Sequence, residues 1–116
     1  MNYQHKQLAD GRWFKLSLME QLANIGSEVG RAISWRDKNK DYSIKSIERA
    51  LELVDLTISD IRNRKRLKEI TRMRELLVDY FIFDNEYFSS DRLWQNYFYA
   101  FNHSARLNNR ITTDKR

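Results

Sequence analysis

Apolar residues recur at intervals of three and four through most of the chain, the spacing that places them on one face of a helix. Four amphipathic helices are predicted, over residues 13–36, 44–62, 64–83 and 91–108. We expect Ser43 to cap the second helix and Ser89 or Ser90 to cap the fourth, because a serine hydroxyl accepts from the free amides of a first turn. Asn63 could cap the third helix, or the second and third helices could run on as one kinked helix.

The apolar positions of the first two helices extend beyond a single stripe. Gly26 and Gly30 share one face of the first helix, which allows another helix to approach closely, either inside one bundle or between two copies. The second helix carries a seam of Ile44, Ile47, Leu51, Val54, Ile58 and Ile61. Leu53 and Leu56 fall outside this seam. Either a neighbouring helix or a second subunit covers them. A four-helix bundle does not usually bury both sides of a helix, so these positions favour a homo-oligomer.

The composition supports a helical chain. There is no proline and there are only three glycines in 116 residues, so turns are few and a fold of many short strands is disfavoured. The expected fold class is all-α, an antiparallel four-helix bundle. One domain is expected over residues 1–116, with frayed tails over 1–11 and 109–116.

Several classes of protein are disfavoured by what the sequence lacks. There is no cysteine, and no apolar run approaches the roughly 20 residues of a membrane span. The N-terminus lacks the apolar segment of a signal peptide. These features predict a soluble, cytoplasmic protein that does not associate with membranes.

The sequence offers no recognisable active site. A carboxylate-bridged metal bundle needs Glu-x-x-His pairs, and neither His5 nor His103 has a glutamate three residues before it. There is no glycine-rich phosphate loop and no nucleophile elbow. We therefore expect a protein that is not an enzyme and holds no metal or cofactor.

The segment "NRKRLKEITRMREL", residues 63–76, is the most basic stretch of a chain whose net charge is +5. On a helical wheel, Arg64, Lys65, Lys68 and Arg72 gather on one outward arc, with Arg62 and Arg66 on the opposite shoulder. Cations near the N-terminus of a helix oppose the helix dipole by roughly 0.3–1 kcal/mol each. If the third helix is separate from the second, this arrangement suggests a use for the charge.

The fourth helix carries a second candidate surface. Tyr99, His103, Arg106 and Arg110 point away from its aromatic stripe, and flat rings beside arginines can stack on single-stranded nucleic acid. The alternative is a solvated helix face that carries a tyrosine.

Arg74 is predicted to lie in the middle of the inner stripe of the third helix. A buried arginine needs a carboxylate, and Asp55 or Glu28 lies near enough on the wheel to form a buried ion pair. The alternative is an arginine that faces a ligand or an interface.

Three segments carry a resemblance: "SLMEQLANIGSEVGRAISW", "SIERALELVDLTI" and "RLKEITRMRELLVDYF". Together they resemble a small, uncharacterised prokaryotic family of helical proteins over most of residues 11–106. This resemblance implies a four-helix bundle and no activity. In size, charge and architecture alone, the chain is also similar to the basic helical accessory proteins of diversity-generating retroelements, which assemble as bundle oligomers and hold RNA and reverse transcriptase on positive surfaces.

These patterns predict a non-catalytic bundle that binds RNA or DNA through phosphate contacts and acts as an oligomeric accessory protein. The alternative is an adaptor that binds an acidic surface on a protein partner.

Overall fold

The computed structural model describes the backbone of residues 11–114 and the side chains of residues 11–107. In this range every regular element is helical, which confirms the all-α prediction. The α-helices are α1 (Leu18–Trp35), α2 (Lys40–Ser59), α3 (Leu67–Phe81) and α4 (Asp91–Asp114). Two 3-10 helices lie before α1 and α3, at Arg12–Lys15 and Ile61–Arg66; the second is called the 3-10 linker below. Among the described helices, none combines the length and the apolar character that crossing a bilayer requires.

Helix α1 begins five residues later than predicted, at a capping box. The amide of Glu20 donates to Ser17 Oγ, and the amide of Ser17 donates to Glu20 Oε1. This reciprocal pair satisfies two amides of the first turn, and it fixes the start at Leu18. The predicted first residue, Trp13, instead lies in the N-terminal 3-10 helix and is 1% exposed.

Helix α2 begins four residues earlier than predicted. Asn39 is its N-cap and accepts from the amide of Tyr42 at 3.1 Å. The predicted cap, Ser43, is buried inside the helix, where its hydroxyl donates to the carbonyl of Ala32 at 2.6 Å. The Ser43 prediction is therefore wrong, because that hydroxyl joins α2 to α1.

The buried face of α2 differs from the predicted seam. Leu53 and Leu56 are 3% and 7% exposed, whereas the seam residues Ile44 and Ile61 are 45% and 73% exposed. Polar residues share the buried face: Thr57, for example, donates its hydroxyl to a backbone carbonyl of its own helix. The chain itself covers Leu53 and Leu56, so the expectation that they lie outside the core for an oligomer contact is wrong.

Helices α2 and α3 are separate. Asp60 ends α2 with an extended backbone, and its side chain accepts from the amide of Arg62 at 3.0 Å. Asn63 does not cap α3, which begins at Leu67; it is buried, and its amide nitrogen donates to Gln21 and to Thr57.

Helix α4 has the predicted start and a later end. Ser90 Oγ accepts from the amide of Leu93 at 3.1 Å, as predicted for the cap. The helix runs to Asp114 rather than ending at Asn108, because no glycine or proline interrupts it, and the fraying of residues 109–114 stays a prediction. The remaining tail predictions, for residues 1–10 and 115–116, lie outside the described residues.

Helix α1 is central to the packing: it contacts α2 on one side and α4 on the other, while α3 packs against α2. The contact of α1 with α4 depends on Gly26, since a Cβ placed there would lie 2.6 Å from Phe98 Cβ. Gly26 therefore serves packing within the chain, the first of the two alternatives. Around Gly30 there is open space.

Candidate nucleic-acid interface

The structure divides the predicted cations by their partners, and Arg62 has a structural role. Its Nη2 donates to Asp60 Oδ2 at 2.6 Å and to the carbonyl of Leu16 at 2.7 Å, and its Nε donates to Asp60 Oδ1 at 3.0 Å. The guanidinium joins the 3-10 linker to the segment before α1. Because these bonds occupy it, we remove Arg62 from the candidate nucleic-acid contacts.

Arg66 and Arg72 form exposed ion pairs one turn along α3. Arg66 lies 2.8 Å from Glu69, and Arg72 lies 3.3 Å from Glu75. The guanidinium of Arg72 also lies over the ring of Tyr87, 4.7 Å from its centroid. Exposed pairs of this kind contribute about 0–1 kcal/mol, so a phosphate could compete for either arginine.

Arg64, Lys65 and Lys68 differ from these residues, because each is exposed and has no ion pair within the described part of the chain. They surround the start of α3, where no side chain caps the helix. With Arg72, one turn further along, they form the surface called the basic arc below.

The basic arc adds its charge to the positive end of the α3 dipole. Glu69 is the acidic residue of the first turn, and Arg66 pairs with it. The charges of Arg64, Lys65 and Lys68 are therefore uncompensated locally, at a cost of roughly 0.3–1 kcal/mol per charge near the helix end. Because α2 and α3 are separate, α3 has an N-terminus of its own and this cost applies. The positive electrostatic field at that N-terminus also attracts anions.

The face predicted on α4 is exposed but lies apart from the basic arc. Tyr99 is 72% exposed, and its ring is nearly parallel to that of His103, with centroids 6.5 Å apart. Tyr99 borders a groove between α4 and α1, whereas Tyr97 borders a cleft between α4 and α3. Arg106 is exposed, and the side chain of Arg110 lies outside the described residues. The structure therefore does not unite this face with the arc.

The residues of the predicted buried ion pair belong to two separate groups of ion pairs. Arg74 Nε does contact Asp55 Oδ1 at 2.7 Å, but the side chains are 38% and 52% exposed, so the pair is on the surface. Glu28 is the buried carboxylate; it pairs with Arg49 at 2.9 Å and with Arg31. The prediction placed Arg74 too deep, because α3 turns its Met73 and Leu77 faces inward.

A buried polar network holds the 3-10 linker beneath the arc. Gln21 is 0% exposed; its amide nitrogen donates to Asp60 Oδ2 at 3.0 Å, and its oxygen accepts from Asn63 at 2.9 Å. The indole of Trp13 donates to Thr57 Oγ1 at 3.0 Å. Hydrogen bonds from Arg62, and then from Gln21, lower the pKa of Asp60 to about 2, so it is ionised at neutral pH. These hydrogen bonds therefore fix the backbone of the 3-10 linker, which carries part of the basic arc.

A second polar cluster joins the ends of three helices, and sequence reasoning missed it. Arg36, after α1, donates to both carboxylate oxygens of Asp91 at 3.0 and 3.2 Å, and the hydroxyl of Tyr80 donates to the same carboxylate at 2.6 Å. Although burial raises the pKa of Asp91, these two partners lower it overall. The partners are 55 and 11 residues from Asp91, so no local pattern reveals them.

Across the described residues, no three histidine, aspartate or glutamate side chains come together in a group able to hold a metal ion. A comparison with protein-family models finds no match, and comparisons with curated proteins and with solved structures find none either. The two resemblances drawn from the sequence therefore remain predictions.

Proposed function

We propose that the chain is an antiparallel four-helix bundle that binds RNA or DNA without catalysis, through phosphate contacts of the basic arc. The observation that carries this proposal is the group of three exposed, unpaired cations, Arg64, Lys65 and Lys68, around the start of α3 within the described residues. The proposal keeps the cytoplasmic location and the absence of a cofactor as expectations from the sequence.

The chemistry of the arc suits a polyanion better than a single small anion. The cations project from successive turns of the 3-10 linker and α3, so they can follow a phosphate backbone along the surface. Phosphate contacts of this type give affinity without selecting a base sequence. Tyr99, His103 and Arg106 are not part of the proposed surface, because Tyr99 borders the groove between α4 and α1 and not the side of α4 that faces α3.

The alternative function, an adaptor for an acidic protein surface, has lost its main support. It depended on Leu53 and Leu56 as an outer apolar pair, and both are buried within the chain. The same change removes the argument for an oligomer, so the proposal concerns the single chain.

The test compares two triple variants that remove equal charge. One replaces Arg64, Lys65 and Lys68 with glutamine; the control replaces Lys38, Lys40 and Lys45, three exposed lysines around the connection between α1 and α2. Fluorescently labelled single-stranded RNA and duplex DNA of equal length are titrated with each protein at fixed salt concentration. We expect the arc variant to bind at least about tenfold more weakly than wild type, and the control to bind more tightly than the arc variant.

Equal loss in the two variants would show that only net charge matters, and the arc would be rejected as the site. All the replaced side chains are exposed, so unfolding free energies should stay within about 0.5 kcal/mol of wild type. A denaturation curve for each variant checks this.

A further inference from the structure

The loop between α3 and α4, residues 82–90, is held in a fixed shape. The carboxylate of Asp79 is 8% exposed and accepts from the amides of Glu86 at 2.8 Å and Tyr87 at 3.2 Å. Asn85 brackets Ser89: its side-chain oxygen accepts from the Ser89 amide at 2.8 Å, and its nitrogen donates to the Ser89 carbonyl at 3.0 Å. These bonds order the loop without using its apolar side chains.

The same loop presents four large apolar side chains to solvent. Ile82 is 52% exposed, Phe83 70%, Tyr87 55% and Phe88 88%. They form what is called the apolar loop surface below. A single exposed apolar residue is ordinary, but a group of this size on an ordered loop is typical of an interaction site.

The unpaired charges around the apolar loop surface are negative. Asp84 and Glu86 are exposed and have no ion pair within the described part of the chain. A cleft of about 440 Å³ opens here, with Phe83 and Tyr87 among its walls and Asp84 and Glu86 at its edge. Two cations lie beside this surface, and both are already paired. Arg74, which lines the cleft, pairs with Asp55, and Arg72, which lies over the Tyr87 ring, pairs with Glu75. This surface repels a phosphate backbone and complements a cation.

We infer that the apolar loop surface docks a segment of another protein that combines aromatic or aliphatic side chains with arginine or lysine. The apolar side chains of the partner would cover Phe83 and Phe88. A cationic side chain would enter the cleft, where Asp84 and Glu86 offer carboxylates. Arg64, Lys65 and Lys68 of the basic arc surround the opposite end of α3, so the chain could join a nucleic acid to a protein. The inference does not depend on nucleic-acid binding.

The test uses a short, fluorescein-labelled synthetic peptide that alternates tryptophan and leucine with arginine, and an analogue with glutamate in place of arginine. We expect the cationic peptide to bind, with amide shifts in the NMR spectrum concentrated at residues 82–88, and the acidic analogue not to bind. The double variant Phe83→Ser, Phe88→Ser should weaken binding by about tenfold or more. The variant Asp84→Asn, Glu86→Gln, which keeps the aromatic rings, should weaken it as well.

Ile61→Ser is the matched control, because Ile61 is an equally exposed apolar residue on the 3-10 linker, at 73%. It should bind the peptide like wild type. Equal binding of the two peptides, failure of the cationic peptide to bind, or binding that the loop variants leave unchanged would overturn the inference. Concentration-dependent self-association that Phe83→Ser, Phe88→Ser abolishes would also overturn it, because a second copy would then occupy the surface. Nucleic-acid binding by Phe83→Ser, Phe88→Ser, which keeps every charge, should be unchanged, so failure of this inference is distinguishable from failure of the proposed function.

Discussion

Replacement of Asp60 with asparagine tests whether a buried, ionised carboxylate holds the 3-10 linker. Asp60 is 5% exposed and accepts from the backbone and guanidinium of Arg62 and from the side chain of Gln21. Asparagine has the same shape and can still accept from the amide of Arg62, but it carries no charge. Because its amide nitrogen cannot accept from Gln21 or Arg62, the variant also loses hydrogen bonds, and it is the pH dependence of the difference from wild type that isolates the contribution of the ionised form.

The size of that contribution follows from the pKa of Asp60, which falls from 3.8 to about 2 on folding, mainly through the hydrogen bond from Arg62. A tenfold change in an acid constant corresponds to about 1.4 kcal/mol, so the ionised carboxylate contributes roughly 2 kcal/mol at neutral pH. Because the pKa is lower in the folded state, the unfolded chain binds the proton first. The contribution is thus fully present above a pH of about 4 and is lost as the pH falls through about 2.

The assay is urea unfolding of wild type and Asp60→Asn across this pH range. The other carboxylates are common to both proteins, so their titration cancels in the difference between the two free energies of unfolding. This difference should be constant near neutral pH and should shrink by roughly 2 kcal/mol on acidification to a pH below about 2. A difference that does not change with pH would refute the reasoning, because Asp60 would then have the same pKa in the folded and unfolded states.

Further substitutions test packing, backbone strain and surface charge. Gly26→Ala should lower the free energy of unfolding by about 1–3 kcal/mol, because its Cβ would lie 2.6 Å from that of Phe98. Gly30→Ala, in open space within the same helix, should raise the free energy of unfolding by about 0.5–1 kcal/mol, and chemical denaturation measures both. Phe88→Gly should raise the melting temperature, since Phe88 has φ 55 and gains little from burial at 88% exposed, and relief of a left-handed backbone is worth about 1 kcal/mol; a lower melting temperature would contradict this. Arg74→Gln should cost no more than about 1 kcal/mol, because its ion pair is on the surface; a loss of several kcal/mol in urea unfolding would show that the pair is buried in solution.

The sequence predicted the features that depend on local pattern. Four helices, the Ser90 cap and the partnership of Arg74 with Asp55 all follow from residues a few turns apart or from the wheel. The start of α1 was also predictable, since Ser17 and Glu20 have the spacing of a capping box. The helix was instead predicted to begin at Trp13, because apolar residues continue towards that position.

The wrong predictions of buried positions concern residues whose burial depends on contacts with distant parts of the chain. Thr57 reads as a polar break in the apolar pattern of α2, yet it is 0% exposed because its hydroxyl bonds within the helix and receives the indole of Trp13. This shifted the predicted buried face and left Leu53 on the outside. Gln21 and Asn63 form a hydrogen bond although they are 42 residues apart in the sequence. The spacing of residues along a helix cannot predict a contact at this separation.

The candidate site was predictable in part for the same reasons. Charge density pointed to the cations of the basic arc, but only the structure shows that Arg62 is occupied while Arg64, Lys65 and Lys68 have no ion pair in the described residues. The apolar loop surface was not predicted, because helical periodicity identifies faces within helices and does not describe a connection. The run of aromatic residues within it was the available signal.

The measurement that tests the central claim most directly is the salt dependence of nucleic-acid binding. The logarithm of the association constant is measured against the logarithm of salt concentration for wild type and for the Arg64→Gln, Lys65→Gln, Lys68→Gln variant. Each phosphate contact contributes about 0.7–0.9 to the slope, so the slope of the variant should be shallower by roughly 2 to 3. Equal slopes for the two proteins, or no binding by wild type even at low salt, would contradict the claim that the basic arc holds a phosphate backbone.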